Sequence, residues 1–179
     1  MSEAAGEPQE IVALLNDYFE RLVEIVFNRH GVLDKFIGDA LMAHWGTLPG
    51  DEDPVFSAVQ AAVEFRAAIR AFNIERESEG RPPIGMGVGV NTGRLVAGYM
   101  GSRRRLEYTV IGDTVNTASR ICGLAGPDQV LISESTHRLV EDRISAEYLG
   151  SKQVKGKETS VEIYQVNAVA EGRVSDTRS

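Results

Sequence analysis

The chain's 179 residues suffice for one domain with a sizeable core, and its content of 42% hydrophobic and 25% charged residues is ordinary for a globular protein. Nineteen basic against 26 acidic residues leave a net charge of -7, which excludes nucleic-acid binding through a general basic surface, though not a local basic pocket for a phosphate ligand. The single cysteine, Cys122, excludes an internal disulfide and fits a reducing, cytosolic setting; no apolar run approaches the ~18 residues of a membrane span.

The first six residues are small and polar, and Pro8 suits a first helical turn, where its missing N–H is no loss. Ile11, Leu15, Tyr18, Leu22 and Ile25 recur at helical spacing and predict a helix over 8–28. Two apolar runs, Val32–Ile37 and Ala40–Trp45, are joined by Gly38-Asp39 and read as a hairpin. Asp53-Pro54 then starts a helix that runs to about Arg76, rich enough in Ala, Val and Phe to be largely buried. After a Gly/Pro loop, Ile84, Met86, Val88 and Val90 alternate with Gly85, Gly87 and Gly89, so one face of this strand packs while the other is bare backbone that something can approach. Asn91-Thr92-Gly93 reads as a turn into a strand over Arg94–Met100, and a helix over 113–125 ends at Gly126-Pro127. A strand at 129–132, a helix at 134–140, and strands near 144–149, 152–155 and 160–166 follow, with Ala168–Ser179 as a flexible tail. The order predicts one α+β domain, helices packed against one largely antiparallel sheet.

Asp39, at a hairpin tip, can hold a hard cation such as Mg2+, or it is simply good turn chemistry. Lys35 is equally readable as a solvated strand residue. Asn116 and Arg120 share a helix face, either as part of an ordinary amphipathic helix or to orient a ribose and neutralise a phosphate. Asp113 is placed to cap that helix. Arg94, Lys155 and Lys157 are surface charges or phosphate contacts, and Arg103-Arg104-Arg105 a solvated hairpin tip. His30, His44 and His137 have no metal spacing and receive no role. The G-x-x-x-x-G-K-[ST] loop and the G-x-S-x-G elbow are both absent.

Taken in order, Lys35-Phe-Ile-Gly-Asp39, Gly87-Val-Gly-Val-Asn-Thr-Gly-Arg94, Tyr108-Thr-Val-Ile-Gly-Asp-Thr-Val-Asn116 and Val154-Lys-Gly156 resemble the catalytic domain of class III adenylate and guanylate cyclases, over about residues 7–166. The resemblance implies a ferredoxin-like α+β fold and a catalytic domain over 1–166, with 167–179 as tail. It also implies a head-to-tail homodimer with composite sites, and two divalent cations, Mg2+ or Mn2+. Asp39 would be one of two metal aspartates. Lys35 and Thr109 would be the base-selecting pair, favouring ATP over GTP and resembling the class IIIb branch. Asn116 would orient the ribose, Arg120 would stabilise the charged transition state, and Arg94 and Lys155 would contact the triphosphate. Asp39 and Arg94 would come from one subunit and Lys35, Thr109, Asn116, Arg120 and Lys155 from its partner. The implied activity is conversion of ATP to 3′,5′-cyclic AMP in the cytoplasm, under an upstream regulatory domain of a larger or membrane-tethered parent.

One departure accompanies it. The family's first metal aspartate lies on a strand ahead of the first helix, and Met1-Ser2-Glu3 resembles only the end of that segment. Asp17, in the predicted helix, and Asp34, beside the hairpin, do not replace it. The expectation is a 179-residue form with half its metal carboxylates, one central strand fewer, and weak or absent activity. The alternatives are a non-catalytic nucleotide-binding or dimerisation module and a guanylate cyclase; the Gly-Gly-Asp/Glu-Glu-Phe signature of diguanylate cyclases is missing.

Overall fold

A computed structural model describes residues 8–153 and 160–170. Helix α1 (Pro8–Asn28) buries Tyr18, Leu22 and Val26, one residue per turn, against α2 (Pro54–Ser78), which contributes Ala61, Phe65, Ile69 and Phe72. Asp53 caps α2, accepting from the Phe56 N–H at 3.3 Å, with Pro54 behind it in the first turn. The other side of α2 buries Val59 and Ala62 against Val130, Ile132, Val140 and Val166. A helix covered on two sides needs apolar residues nearly all round, which its Ala/Val/Phe composition supplies.

Among the described residues the strands form three separate ladders. β1 (Val32–Ile37) and β2 (Ala40–His44) make one hairpin; β4 (Val96–Ser102) and β5 (Arg105–Ile111) make another. The third is a four-stranded sheet in the order β3 (Val88–Val90), β6 (Val130–Ser133), β8 (Val161–Val169) and β7 (Ile144–Lys152), parallel between β3 and β6 and antiparallel elsewhere. Helix α3 (Asp113–Leu124) packs Ile121 on Leu131 and Ile163, while α2 and α4 (Glu134–Val140) cover Val130 and Ile132 on the opposite face. Every residue of β6 is therefore buried, and α3 lies across the sheet from α2.

The mixed α+β class and the largely antiparallel pairing hold, with several corrections of detail. Helices cover both faces of the four-stranded sheet, and the two hairpins stand apart from it. The segment after α2 is a ladder strand only from Val88, because the Asn73 side chain takes both the N–H and the carbonyl of Ile84, at 2.8 and 2.9 Å, in place of a strand neighbour. The strand expected over 94–100 runs instead over Val96–Ser102, and it pairs with β5 rather than with the glycine-striped strand. β7 is one bulged strand through Lys152, and β8 runs to Val169, past the boundary expected at 166, because Arg66 of α2 donates to the carbonyls of Val166 and Asn167.

Candidate active site

The first hairpin sets the geometry. Gly38 takes φ +63, the left-handed value that the first position of this two-residue turn requires, and Asp39 follows it on the exposed tip. At the far end of β1 the register slips between Leu33 and Lys35, so Asp34 is a bulge residue with no partner on β2. The bulge re-aims its side chain, which is 0% exposed. Thr109 of β5 donates its hydroxyl to both Asp34 oxygens, at 2.8 and 3.0 Å, and the Val110 N–H donates to one of them at 3.1 Å. The Lys35 ammonium lies 3.3 Å from the same carboxylate. Two residues far apart in sequence, Lys35 and Thr109, thus share one buried anion.

β5 leads into α3 through Gly112, whose φ of +145 suits only glycine. Gly112 is the N-cap and makes no side-chain cap bond; Asp113 begins the helix, where its charge suits the positive end of the dipole, so the expected capping by Asp113 is corrected. Asn116 is exposed one turn in, and Arg120 stands one turn beyond. Arg120 is half-buried, and its Nη1 has no hydrogen-bond partner among the described residues. An orphaned buried guanidinium donor is costly unless something accepts from it.

The Asn91–Arg94 turn is tied to the start of α3. Asn91 donates to the Thr114 carbonyl at 2.9 Å, and the Thr114 hydroxyl donates to the Arg94 carbonyl at 2.6 Å. The Arg94 side chain is exposed beside that start. The bare face of the glycine stripe is not open to a ligand, because α3 occupies it: an added Cβ would lie 2.5 Å from the Ala125 carbonyl at Gly87 and 2.2 Å from the Cys122 nitrogen at Gly89.

Asp39 stands elsewhere, on a small cavity with Leu14, Leu15, Tyr18, Ile84 and Gly85. Burial, then the Asp39 charge, pushes the Tyr18 phenol up to about 12, so it stays neutral and is no second anionic ligand. Among the described residues no group of three or more His, Cys, Asp or Glu converges on a point that could hold a metal. Asp39 alone does not make a two-metal centre, and the described donor set is incomplete for one. Lys155 lies outside the described residues. A larger cleft of about 580 Å³, between α2 and the 83–86 and 127–128 segments, contains the Arg70–Asp128 ion pair and none of the expected site residues.

The residue that sequence reasoning missed is Asp34. Its one signal was an acidic side chain beside Lys35, the two charges interrupting an apolar strand run; nothing in periodicity announces a bulge.

The family described as the adenylate and guanylate cyclase catalytic domain matches residues 1–168. The chain belongs to this family. It is 34% identical to adenylate cyclase 1 of Rhizobium meliloti over 164 residues, covering 90% of this chain and 25% of that protein. It is 38% identical to an adenylate cyclase of Anabaena cylindrica over 177 residues, covering 94% and 34%. The cyclase chain thus spans about a quarter to a third of the length of these curated relatives. Among solved structures, the adenylyl cyclase CyaB of P. aeruginosa superposes with TM-score 0.86 at 31% identity, covering 94% of this chain and 86% of that one. The guanylyl cyclase Cya2 does so with TM-score 0.85 at 32% identity, covering 94% and 85%. Overall similarity therefore does not separate the two substrates, and the choice falls to individual side chains.

Proposed function

We propose that this domain is an adenylate cyclase, converting ATP to 3′,5′-cyclic AMP and pyrophosphate in the cytoplasm, where ATP is available. The observation that carries the reading is the pairing of Lys35 with Thr109 on the Asp34 carboxylate, which sets a cation and a hydroxyl side by side. An adenine edge offers a ring-nitrogen acceptor next to an amino donor, and this pair can meet both.

In the reaction the ribose 3′-oxygen forms a bond to the α-phosphorus while the bond from that phosphorus to the bridging oxygen breaks. Pyrophosphate leaves with the bond's electron pair, and the hydroxyl proton passes to solvent. The protein's task is largely positioning and charge stabilisation. Asn116, exposed on α3, orients the ribose; Arg120, whose Nη1 lacks a partner among the described residues, meets the charge that builds on the α-phosphate. Arg94 and Lys155 contact the triphosphate. Asp39 would supply one carboxylate to a divalent cation, Mg2+ or Mn2+. The assembly is a head-to-tail homodimer, with Asp39 and Arg94 of one subunit facing Lys35, Thr109, Asn116, Arg120 and Lys155 of the other, under a regulatory domain elsewhere in the parent protein.

The test is incubation with ATP and Mn2+ or Mg2+, with the products separated by chromatography. We expect cyclic AMP and pyrophosphate in equal amounts, at the weak rate that Asp39 without a second metal carboxylate allows, and a rate about 10²-fold lower again for Arg120→Ala with nucleotide affinity nearly kept. A second reading, a non-catalytic nucleotide-binding and dimerisation module, is favoured by the lack, among the described residues, of any group of three or more His, Cys, Asp or Glu that could hold a metal. Tight ATP binding without product would select it.

A further inference from the structure

We infer that Asp34 is a specificity-determining positioning residue: by taking the only hydroxyl proton of Thr109 it fixes that oxygen as an acceptor, so that the pair admits a purine with a 6-amino group and rejects one with a 6-oxo group. The inference rests on the proposed nucleotide site and deepens it.

Three donors converge on one fully buried carboxylate: the Thr109 hydroxyl, the Val110 N–H and the Lys35 ammonium. A carboxylate in that position accepts from all three and donates to none. A threonine hydroxyl has one proton and two lone pairs. With its proton held between both Asp34 oxygens, Thr109 offers the outside only lone pairs. The next ligand on that oxygen must be a donor.

Thr109 is 8% exposed, and the free space on its face of the ladder lies at Gly98. Thr109 sits directly across the ladder from Gly98, so a side chain at 98 would stand on the same face, and a Cβ built there meets nothing within 4 Å. Lys35 remains 40% exposed beside it and supplies the donor for the neighbouring ring position. The combined pattern, donor from Lys35 and acceptor from Thr109, complements N1 and the 6-amino group of adenine. A 6-oxopurine presents N1–H and a carbonyl in those places, so both contacts become donor on donor or acceptor on acceptor. Threonine alone would not discriminate, because a free hydroxyl rotates to donate or accept. The bulge that points Asp34 at Thr109 removes that freedom.

The experiment measures binding of ATP, ITP and purine riboside triphosphate to the intact chain by displacement of a fluorescent ATP analogue, for the wild type and for Asp34→Asn, with circular dichroism and a thermal melt for each. We expect the wild type to bind ATP at least about tenfold more tightly than ITP, with purine riboside triphosphate between them. In Asp34→Asn the side-chain amide can donate to Thr109 and free its proton, and the ATP/ITP ratio should fall below about threefold. A wild type without preference for ATP would overturn the base-selection reading and this inference with it. A wild type that prefers ATP, with a folded Asp34→Asn variant that keeps the same ratio, would overturn the role of Asp34 alone. Should Asp34→Asn fail to fold, the wild type decides by proton NMR. A Thr109 hydroxyl proton in slow exchange with a cross-peak to the Val110 N–H upholds the inference, and exchange at the solvent rate overturns it.

Discussion

His44 ends β2 and is 6% exposed, with Nδ1 2.9 Å from the Thr47 hydroxyl and Nε2 without a partner among the described residues. Burial holds this imidazole below its ordinary value of about 6.5, with the Asp34 charge opposing the shift. Because the unfolded chain then takes up the proton first, the stability from keeping His44 neutral is complete above about pH 6.5 and is lost as pH falls from there through the folded value. The Tm should therefore drop between about pH 7.5 and 5.5, and His44→Gln should flatten that slope; an equally steep variant would assign the effect elsewhere. Asp53 and Asp128, held low chiefly by their hydrogen bonds from Arg143 and Arg70, act in a separate window, since their contribution is present above the ordinary 3.8 and lost below it. At this scale the sequence revealed residue types but not their wiring. Lys35 and Thr109 were legible through a motif, whereas Asp34 and His44 were not, because burial and a bulge depend on what the rest of the chain lays over them.

At the scale of elements, α1, α2 and α3 were legible almost to the residue, since capping and apolar periodicity are local. The partners of strands were not: pairing is a long-range choice, and β3 ends beside β6, some forty residues on, rather than beside its sequence neighbour. The glycine stripe shows how a correct pattern can be given the wrong occupant. Its smooth face was read as room for something to approach, and what approaches is the backbone of α3. Gly89→Ala should therefore cost about 1–3 kcal/mol through overpacking, several degrees in Tm. Gly98→Ala, with nothing within 4 Å of its Cβ, should leave Tm unchanged or slightly raised. Equal losses from both would mean that α3 does not sit on β3 as described.

For the whole molecule, two hairpins meet each other through Asp34, Thr109 and Val110, and each carries part of the candidate site: Lys35 and Asp39 on one, Thr109 on the other, with α3 and its Asn116 and Arg120 following directly. Within one chain Asp39 lies beside Tyr18, apart from the Asp34 cluster, which suits a site completed between two chains. Head-to-tail pairing makes an unusual expectation. Asp39→Ala and Arg120→Ala, each strongly impaired alone, should regain up to about a quarter of wild-type rate when mixed, because half the dimers are mixed and each rebuilds one of two sites. No recovery, with exchange of subunits verified, would place both residues in the same subunit's site. Relatives of nearly equal similarity include an adenylyl and a guanylyl cyclase, so the substrate rests on the Lys35–Thr109 pair. The most direct measurement is the kcat/KM for cyclic AMP from ATP against that for cyclic GMP from GTP, in one vessel. An adenine-selective site gives a ratio of at least about ten in favour of ATP; a ratio of one or less would contradict it.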